Sequence, residues 1–332
     1  AENIYRFLLQ RKSEIGIAEA TTISNIRVVD PAYELPIGKP TKPKKILNFA
    51  VGIFLGLFSG VGLALLFDNL DTTIKGVEDI EKIKQVSFLG IIPKIKKGTP
   101  LLISRRKFTD PICEAYRTVK NSVRFSSLDK PLRHILITSA EPQEGKTLMS
   151  VNLSIALIRE GKRVLLIDTD LRKPGVHKHF NIENTIGLTS VLLGEKEVKD
   201  VIFDTGLEGL CVMPTGPTPP DPARLLESHK MQQLVADLTG KYDLLVLDSA
   251  PALVVDDAII TSRYIDGVIN VVESRRATFE TVTQMEEVFR TAKATLLGVV
   301  LNKQKILRGG HGYYRYYKYY SSNDASDVGK KV

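Results

Sequence analysis

The run "ILNFAVGIFLGLFSGVGLALLF", Ile46 to Phe67, constrains this chain more than any other stretch, because 22 consecutive residues carry no charge. At ~1.5 Å rise per residue such a helix is about 33 Å long, enough to cross the hydrocarbon core of a bilayer. A buried core helix is the competing use of an apolar run, but its length and complete lack of charge favour the membrane. A signal peptide does not fit, since 45 residues precede the run and no cleavage pattern follows it. Glycines 52, 56, 60 and 62 give the small-xxx-small spacing on which helices can approach closely. The expectation is one transmembrane helix over 46–67.

The flanks differ in composition. Residues 1–30 combine a helical spacing of Ile4, Phe7, Leu8 and Arg11 with a strand-like "TTISNIRVVD". Pro31, Pro36, Pro40 and Pro43 then enforce an extended approach to the span. Beyond the span, 68–109 reads as a juxtamembrane segment with a short helix and strand. It ends in six basic residues between Lys94 and Lys107, a solvated linker or a surface for anionic lipid. The net charge of +8 suits nucleic acid, anionic lipid or phosphorylated partners alike and does not choose among them. Cys113 and Cys211 stand far apart without metal-ligand spacing, so neither a disulfide framework nor a zinc site is suggested, which fits a reducing compartment.

From about 110 the pattern becomes apolar strands separated by helices: "HILITSA", "RVLLIDTD", "GLCVMPTG", "YDLLVLDSA", "DGVINVVES" and "LLGVVLNK". That alternation predicts an α/β fold of P-loop NTPase type, a mostly parallel sheet with helices on both faces, whose site lies beyond the strands' carboxyl ends. Three motifs fall there. "ILITSAEPQEGKTLMSV" is a strand, a tight loop and a helix, with Gly145-Lys146-Thr147 at the helix start. In such a loop the backbone N–H groups cradle phosphates, the lysine reaches the β- and γ-phosphates, and the hydroxyl holds Mg²⁺. Ala140 replaces the usual first glycine. Asp168 and Asp170 end the second strand and point the same way at i and i+2; a strand-end turn with a capping aspartate is the plainer use of such a pair. Asp248, after four apolar residues, matches the strand-terminal aspartate that orders Mg²⁺ in P-loop NTPases.

Together, "LITSAEPQEGKT", "VLLIDTDLRKP" and "LLVLDSAP" resemble the Walker A, A′ and B motifs of the bacterial tyrosine kinases of capsule and exopolysaccharide export, the Wzc-like family. "PAYELPIGKPTKPKK", "IKGVEDIEKIKQVSFLGIIP" and "GPTPPDPARLLES" resemble that family's premembrane, juxtamembrane and kinase segments. The resemblance implies an ATP- and Mg²⁺-dependent autokinase. Ala140, Glu141, Gln143, Glu144, Gly145, Lys146, Thr147 and Leu148 would form the ATP loop, and Asp168 would accept the tyrosine proton. Thr147, Asp170 and Asp248 would position Mg²⁺, with Lys146, Asp168 and Asp170 as the catalytic set. Glu114, Arg117 and Lys120 match a Glu-x-x-Arg-x-x-Arg helix that meets a neighbouring subunit, although Lys120 replaces the last arginine and lacks its bidentate fork. Ala250 stands where the family commonly has proline.

The resemblance orders the domains as an extracytoplasmic stub (1–45), the span (46–67), the juxtamembrane segment (68–109), a cytoplasmic kinase domain (110–306) and a tail (307–332). The basic flank of Arg27, Lys39, Lys42, Lys44 and Lys45 outnumbers Lys75, Lys82 and Lys84, which by charge alone would put the first flank in the cytoplasm. The need for ATP overrules that count, and an upstream span in the family would set the orientation. The tail holds Tyr313, Tyr314, Tyr316, Tyr317, Tyr319 and Tyr320, six of the chain's 11 tyrosines, expected as the phosphorylation sites. The expected setting is the bacterial inner membrane. Expected partners are copies of the chain in a ring, a neighbour's tail, membrane lipid, the polysaccharide polymerase and export machinery and a tyrosine phosphatase, with no nucleic acid. A P-loop ATPase of the partitioning or division-site class is the alternative; Glu141 stands where that class has a loop lysine.

Overall fold

The computed structural model describes residues 2–21, 42–83, 86–127 and 131–305. The strand-like stretch after residue 21, most of the proline-rich segment and all six tail tyrosines lie outside the described residues. The chain divides into two compact units, Ala1–Leu70 and Asp71–Val332.

In the first unit the helix Glu2–Thr21 carries the expected apolar positions, Ile4, Phe7 and Leu8, all exposed. The helix Lys45–Leu70 has 26 residues, none of them buried, and among the described residues it alone is long and apolar enough to cross a membrane. It contains the whole of the expected span.

The second unit is built on eight strands. These are β1 (Phe88–Pro93), β2 (His134–Ser139), β3 (Val164–Asp168), β4 (Phe203–Asp204), β5 (Leu210–Met213), β6 (Leu244–Asp248), β7 (Gly267–Glu273) and β8 (Leu296–Gln304). They form one sheet in the order β1-β8-β7-β2-β6-β3-β5-β4, every pairing parallel except β4 with β5. The six strands read from the sequence beyond residue 110 are all present, joined by β1 from the juxtamembrane segment and by the two-residue β4.

Alternating side chains sort the core into two layers, as a sheet covered on both faces requires. Ile135, Ile137, Val164, Leu166, Leu244 and Val246 pack under the helices Pro111–Phe125 and Lys146–Ile158. Leu136, Leu165, Ile167, Leu245 and Leu247 pack on the other face with Met231, Leu234 and Phe289, from the helices His229–Thr239 and Phe279–Thr291. Burying each such side chain stabilises by ~1.5–3 kcal/mol, so these central strands anchor the unit.

The helix starts are written locally. Asp110 accepts the Ile112 N–H at 2.8 Å with Pro111 in the first turn, while Ser228 and Thr278 cap the two helices of the opposite face. Because the central strands run parallel, their carboxyl ends gather at one edge. There Asp168 is directly in register with Asp248, and β2 runs beside β6 into the loop before Lys146.

β1 is tied to this body through the Pro111–Phe125 helix. Gly90 has φ 153°, and a Cβ added there would lie 2.7 Å from Val119 Cγ2. Gly90→Val is therefore expected to destabilise the second unit by about 2 kcal/mol or more in urea titration, through overpacking against that helix.

Candidate active site

The loop between β2 and the Lys146–Ile158 helix supplies the site's frame. Gly145 precedes the helix with φ 99°, a conformation that favours glycine, and Gln143 also has positive φ at 69°. The first-turn N–H groups of a helix have no partner within it, so this helix start offers donors to an anion.

Lys146 is nearly enclosed, and its Nζ lies 2.6 Å from Asp170 Oδ2 and 3.9 Å from Asp248 Oδ2. Burial opposes its charge, but the carboxylates of Asp248 and Asp170 outweigh that and hold its pKa above the ordinary lysine value. Asp248 is fully buried, and burial raises its pKa against the opposing pull of Lys146, Thr147 and Ser150. Ser150 Oγ donates to Asp248 Oδ1 at 2.9 Å, while Asp248 Oδ2 has no hydrogen-bond partner among the described residues.

Asp168 is also fully buried. Its Oδ2 accepts the N–H groups of Gly175 and Val176, both at 3.0 Å, and its Oδ1 accepts that of Asp170 at 3.2 Å. Burial, and then the charge of Asp248, push its pKa up to about 8 against those donors. The expected pair at 168 and 170 is thus brought together with Lys146, Thr147 and Asp248, but with different surroundings: Asp170 faces the lysine, while Asp168 anchors the following loop.

The loop residues divide as well. Gln143, Gly145, Lys146, Thr147 and Leu148 line a cavity of about 450 Å³ with Asp170, Lys173, Pro251 and Val254. Ala140 is buried below it. Glu141 and Glu144 turn to the loop's far side. Glu144 Oε2 accepts the Glu141 N–H at 2.8 Å, its Oε1 accepts the Glu273 N–H at 3.1 Å, and Glu141 pairs with Arg276 at 3.1 Å. Neither lines that cavity. Sequence reasoning missed Ser150, four residues after Lys146 on the same helix face, and missed Arg172, whose guanidinium pairs with both oxygens of buried Asp257. The i+4 spacing was the available signal for Ser150; nothing local marks Arg172 and Asp257, 85 residues apart.

On the Pro111–Phe125 helix, Glu114 and Arg117 pair with each other. Lys120 points inward and binds Glu160 Oε1 at 2.5 Å, holding the Glu160 pKa below its ordinary value. It is bound within its own chain at the end of the Lys146–Ile158 helix.

The donors present fit a magnesium ion. Mg²⁺ takes few protein ligands and keeps waters and phosphate oxygens, so a hydroxyl with one or two carboxylates suffices. Thr147 beside Asp248, whose Oδ2 accepts no hydrogen bond among the described residues and meets Lys146 only at 3.9 Å, with nearby Asp170, is such a set. No group of three or more His, Cys, Asp or Glu arranged to hold a metal occurs among the described residues.

Two family models match the chain: the GNVR family, "G-rich domain on putative tyrosine kinase", over residues 1–67, and the AAA_31 family, an AAA domain, over 133–302. The tyrosine-protein kinase YwqD of Bacillus subtilis is 40% identical over 202 residues, 60% of this chain and 85% of that protein. The tyrosine-protein kinase ptk of Acinetobacter johnsonii is 34% identical over 330 residues, 94% of this chain, which spans 44% of that protein's length. Among solved structures, the kinase domain of the Escherichia coli tyrosine kinase ETK superposes with a TM-score of 0.65 at 27% identity, over 72% of this chain and 97% of that domain.

Because Ser150 orients the carboxylate with the unpartnered oxygen, Ser150→Ala is expected to weaken metal binding without unfolding the chain. The Mg²⁺ concentration giving half-maximal nucleotide binding should rise about tenfold, measured by fluorescence titration.

Proposed function

The chain belongs to the bacterial tyrosine-protein kinases related to Wzc and Etk, and on that premise we propose that it is an ATP-dependent tyrosine autokinase. It would transfer the γ-phosphoryl group of ATP to tyrosines of a second copy of the chain. The observation that carries this reading is the Lys146–Asp170–Asp248 cluster beside the helix start, with Lys146 and Asp170 lining the 450 Å³ cavity. Phosphoryl transfer needs alignment and charge neutralisation more than covalent participation.

In this reading the N–H groups at the start of the Lys146–Ile158 helix bind the phosphate oxygens, and Lys146 exchanges its contact with Asp170 for the β- and γ-phosphates. Thr147 and Asp248, with Asp170 directly or through water, would hold Mg²⁺, which would supply charge neutralisation at the phosphates. Asp168 is the proposed acceptor of the phenol proton. A carboxylate offers about four lone-pair directions, and three are taken by backbone N–H groups, so one on Oδ1 remains. A carboxylate at this position can accept the proton of a phenol of pKa ≈ 10 as the nucleophile forms.

The acceptors proposed are Tyr313, Tyr314, Tyr316, Tyr317, Tyr319 and Tyr320, reached between copies in a ring, with Glu114 and Arg117 contributing to the contact. Each phosphate adds about −1.5 to −2 charge, so a modified tail would be repelled from a site already holding ATP phosphates and the ring would loosen. The proposed setting is the inner membrane, crossed by the Lys45–Leu70 helix, with the kinase unit in the cytoplasm and the basic residues of 94–107 toward anionic lipid. There it would regulate capsule or exopolysaccharide synthesis and export, with a phosphatase resetting the tail.

Purified chain incubated with ATP and Mg²⁺ should gain phosphate within residues 313–320, mapped by mass spectrometry. Lys146→Met should reduce the incorporation at least ~100-fold through loss of the phosphate-binding charge. Unchanged phosphotyrosine in that variant would refute self-phosphorylation at this site.

A further inference from the structure

We infer that Asn302 and Lys303, at the carboxyl end of β8, are positioning residues of the phosphate loop. They hold its carbonyl groups outward so that its N–H groups face the nucleotide; the inference rests on the ATP reading above. A carbonyl oxygen turned toward a phosphate repels it, so a phosphate loop must keep its N–H groups inward and its C=O groups out. Glycine-rich loops reach that arrangement through conformational freedom. Residues 141–144 here are Glu-Pro-Gln-Glu, with no glycine, and Gln143 sits at φ 69°. A side-chain-bearing residue in that region persists only when its surroundings hold it there.

The end of β8 supplies the hold. Lys303 Nζ donates to the Gln143 carbonyl at 2.6 Å and meets Glu273 Oε2 at 2.9 Å. Asn302 Nδ2 donates to the Glu144 carbonyl at 2.7 Å, in a buried setting. Two consecutive loop carbonyls are thereby fixed on the side away from the cavity. The strand end is shaped for this: Lys303 has φ 55°, and its N–H donates to Asn302 Oδ1 at 2.8 Å. Asn302 also fills the space beside Gly145, where an added Cβ would run into its amide nitrogen. From the loop's side, Glu144 reaches back to the Glu273 N–H, and Arg276 joins Glu141 to Glu273. Neither Asn302 nor Lys303 lines the nucleotide cavity. They act on ATP through the loop.

The test measures binding of a fluorescent ATP analogue, autophosphorylation kinetics and thermal melting on the full chain in detergent. Lys303→Met should raise the analogue's Kd and the KM for ATP about tenfold, the loss of one charge-assisted hydrogen bond. kcat should fall less than about threefold, because the transferring groups are untouched. The midpoint of melting should stay within ~2 °C. Lys303→Arg, which keeps a cationic donor, should bind within about threefold of the unaltered chain. Asn302→Ala should move Kd in the same direction as Lys303→Met. Unaltered Kd and KM in Lys303→Met would overturn the inference, and so would a loss confined to kcat or one that Lys303→Arg fails to recover. If the unaltered chain does not bind the analogue, the ATP reading falls and takes the inference with it; if chain and variants bind alike, the inference alone falls.

Discussion

Three carboxylates, Asp168, Asp170 and Asp248, are buried at one edge of a parallel sheet, and a single ammonium, Lys146, stands among them. That imbalance governs the rest of the site. Burial alone drives Asp168 and Asp248 toward their protonated forms, and one lysine cannot offset three negative charges. In the proposed reading a divalent cation with a nucleotide polyphosphate would resolve the conflict: the metal would supply positive charge to the carboxylates, and the phosphates would give Lys146 another partner. The sheet makes this possible by bringing Asp168 and Asp248 into register on adjacent strands, a juxtaposition that only parallel order at the carboxyl edge provides.

Much of this was legible in the sequence. Six apolar runs ending in polar residues became strands, because fully buried parallel strands need continuous apolar stretches and must stop where a charge appears. The three aspartates were picked out by their place at strand ends, and Lys146 and Thr147 by the loop motif at a helix start. Less legible was what the acidic loop residues do. Glu141 and Glu144 sit among phosphate-binding positions in sequence, yet their side chains reach β7 and Arg276, more than 120 residues away. Long-range pairing of this kind has no local signature. Lys120 is similar: the resemblance placed it on a helix that meets a neighbouring subunit, and only the fold reveals Glu160 beside it.

β1 shows another limit. Its run "FLGIIP" reads as a strand, but nothing local says that it joins the sheet at β8 and so belongs to the body that carries the site. The bond from the Lys94 N–H to the Gln304 carbonyl continues this pairing past the strand's last residue. The segment following the apolar helix is therefore built into the catalytic unit within a few residues. Asp71 and Thr73 already bond each other, and Ile74 exchanges backbone hydrogen bonds with Arg275 and Ala277.

The sheet's two margins carry a consequence for association. β4 has only two residues, and β1 ends in a proline and pairs irregularly at two places. Exposed strand edges are templates on which chains add to one another without limit, and short, kinked or proline-bearing margins blunt that tendency. Copies of this chain therefore have little to offer each other as continuous backbone ladders. In the proposed assembly, contacts between them would fall to helix faces and loops, whose side chains can be repelled or released by a change of charge. A chain that assembles with its own kind along a membrane, as proposed, would thus keep assembly open to dissolution.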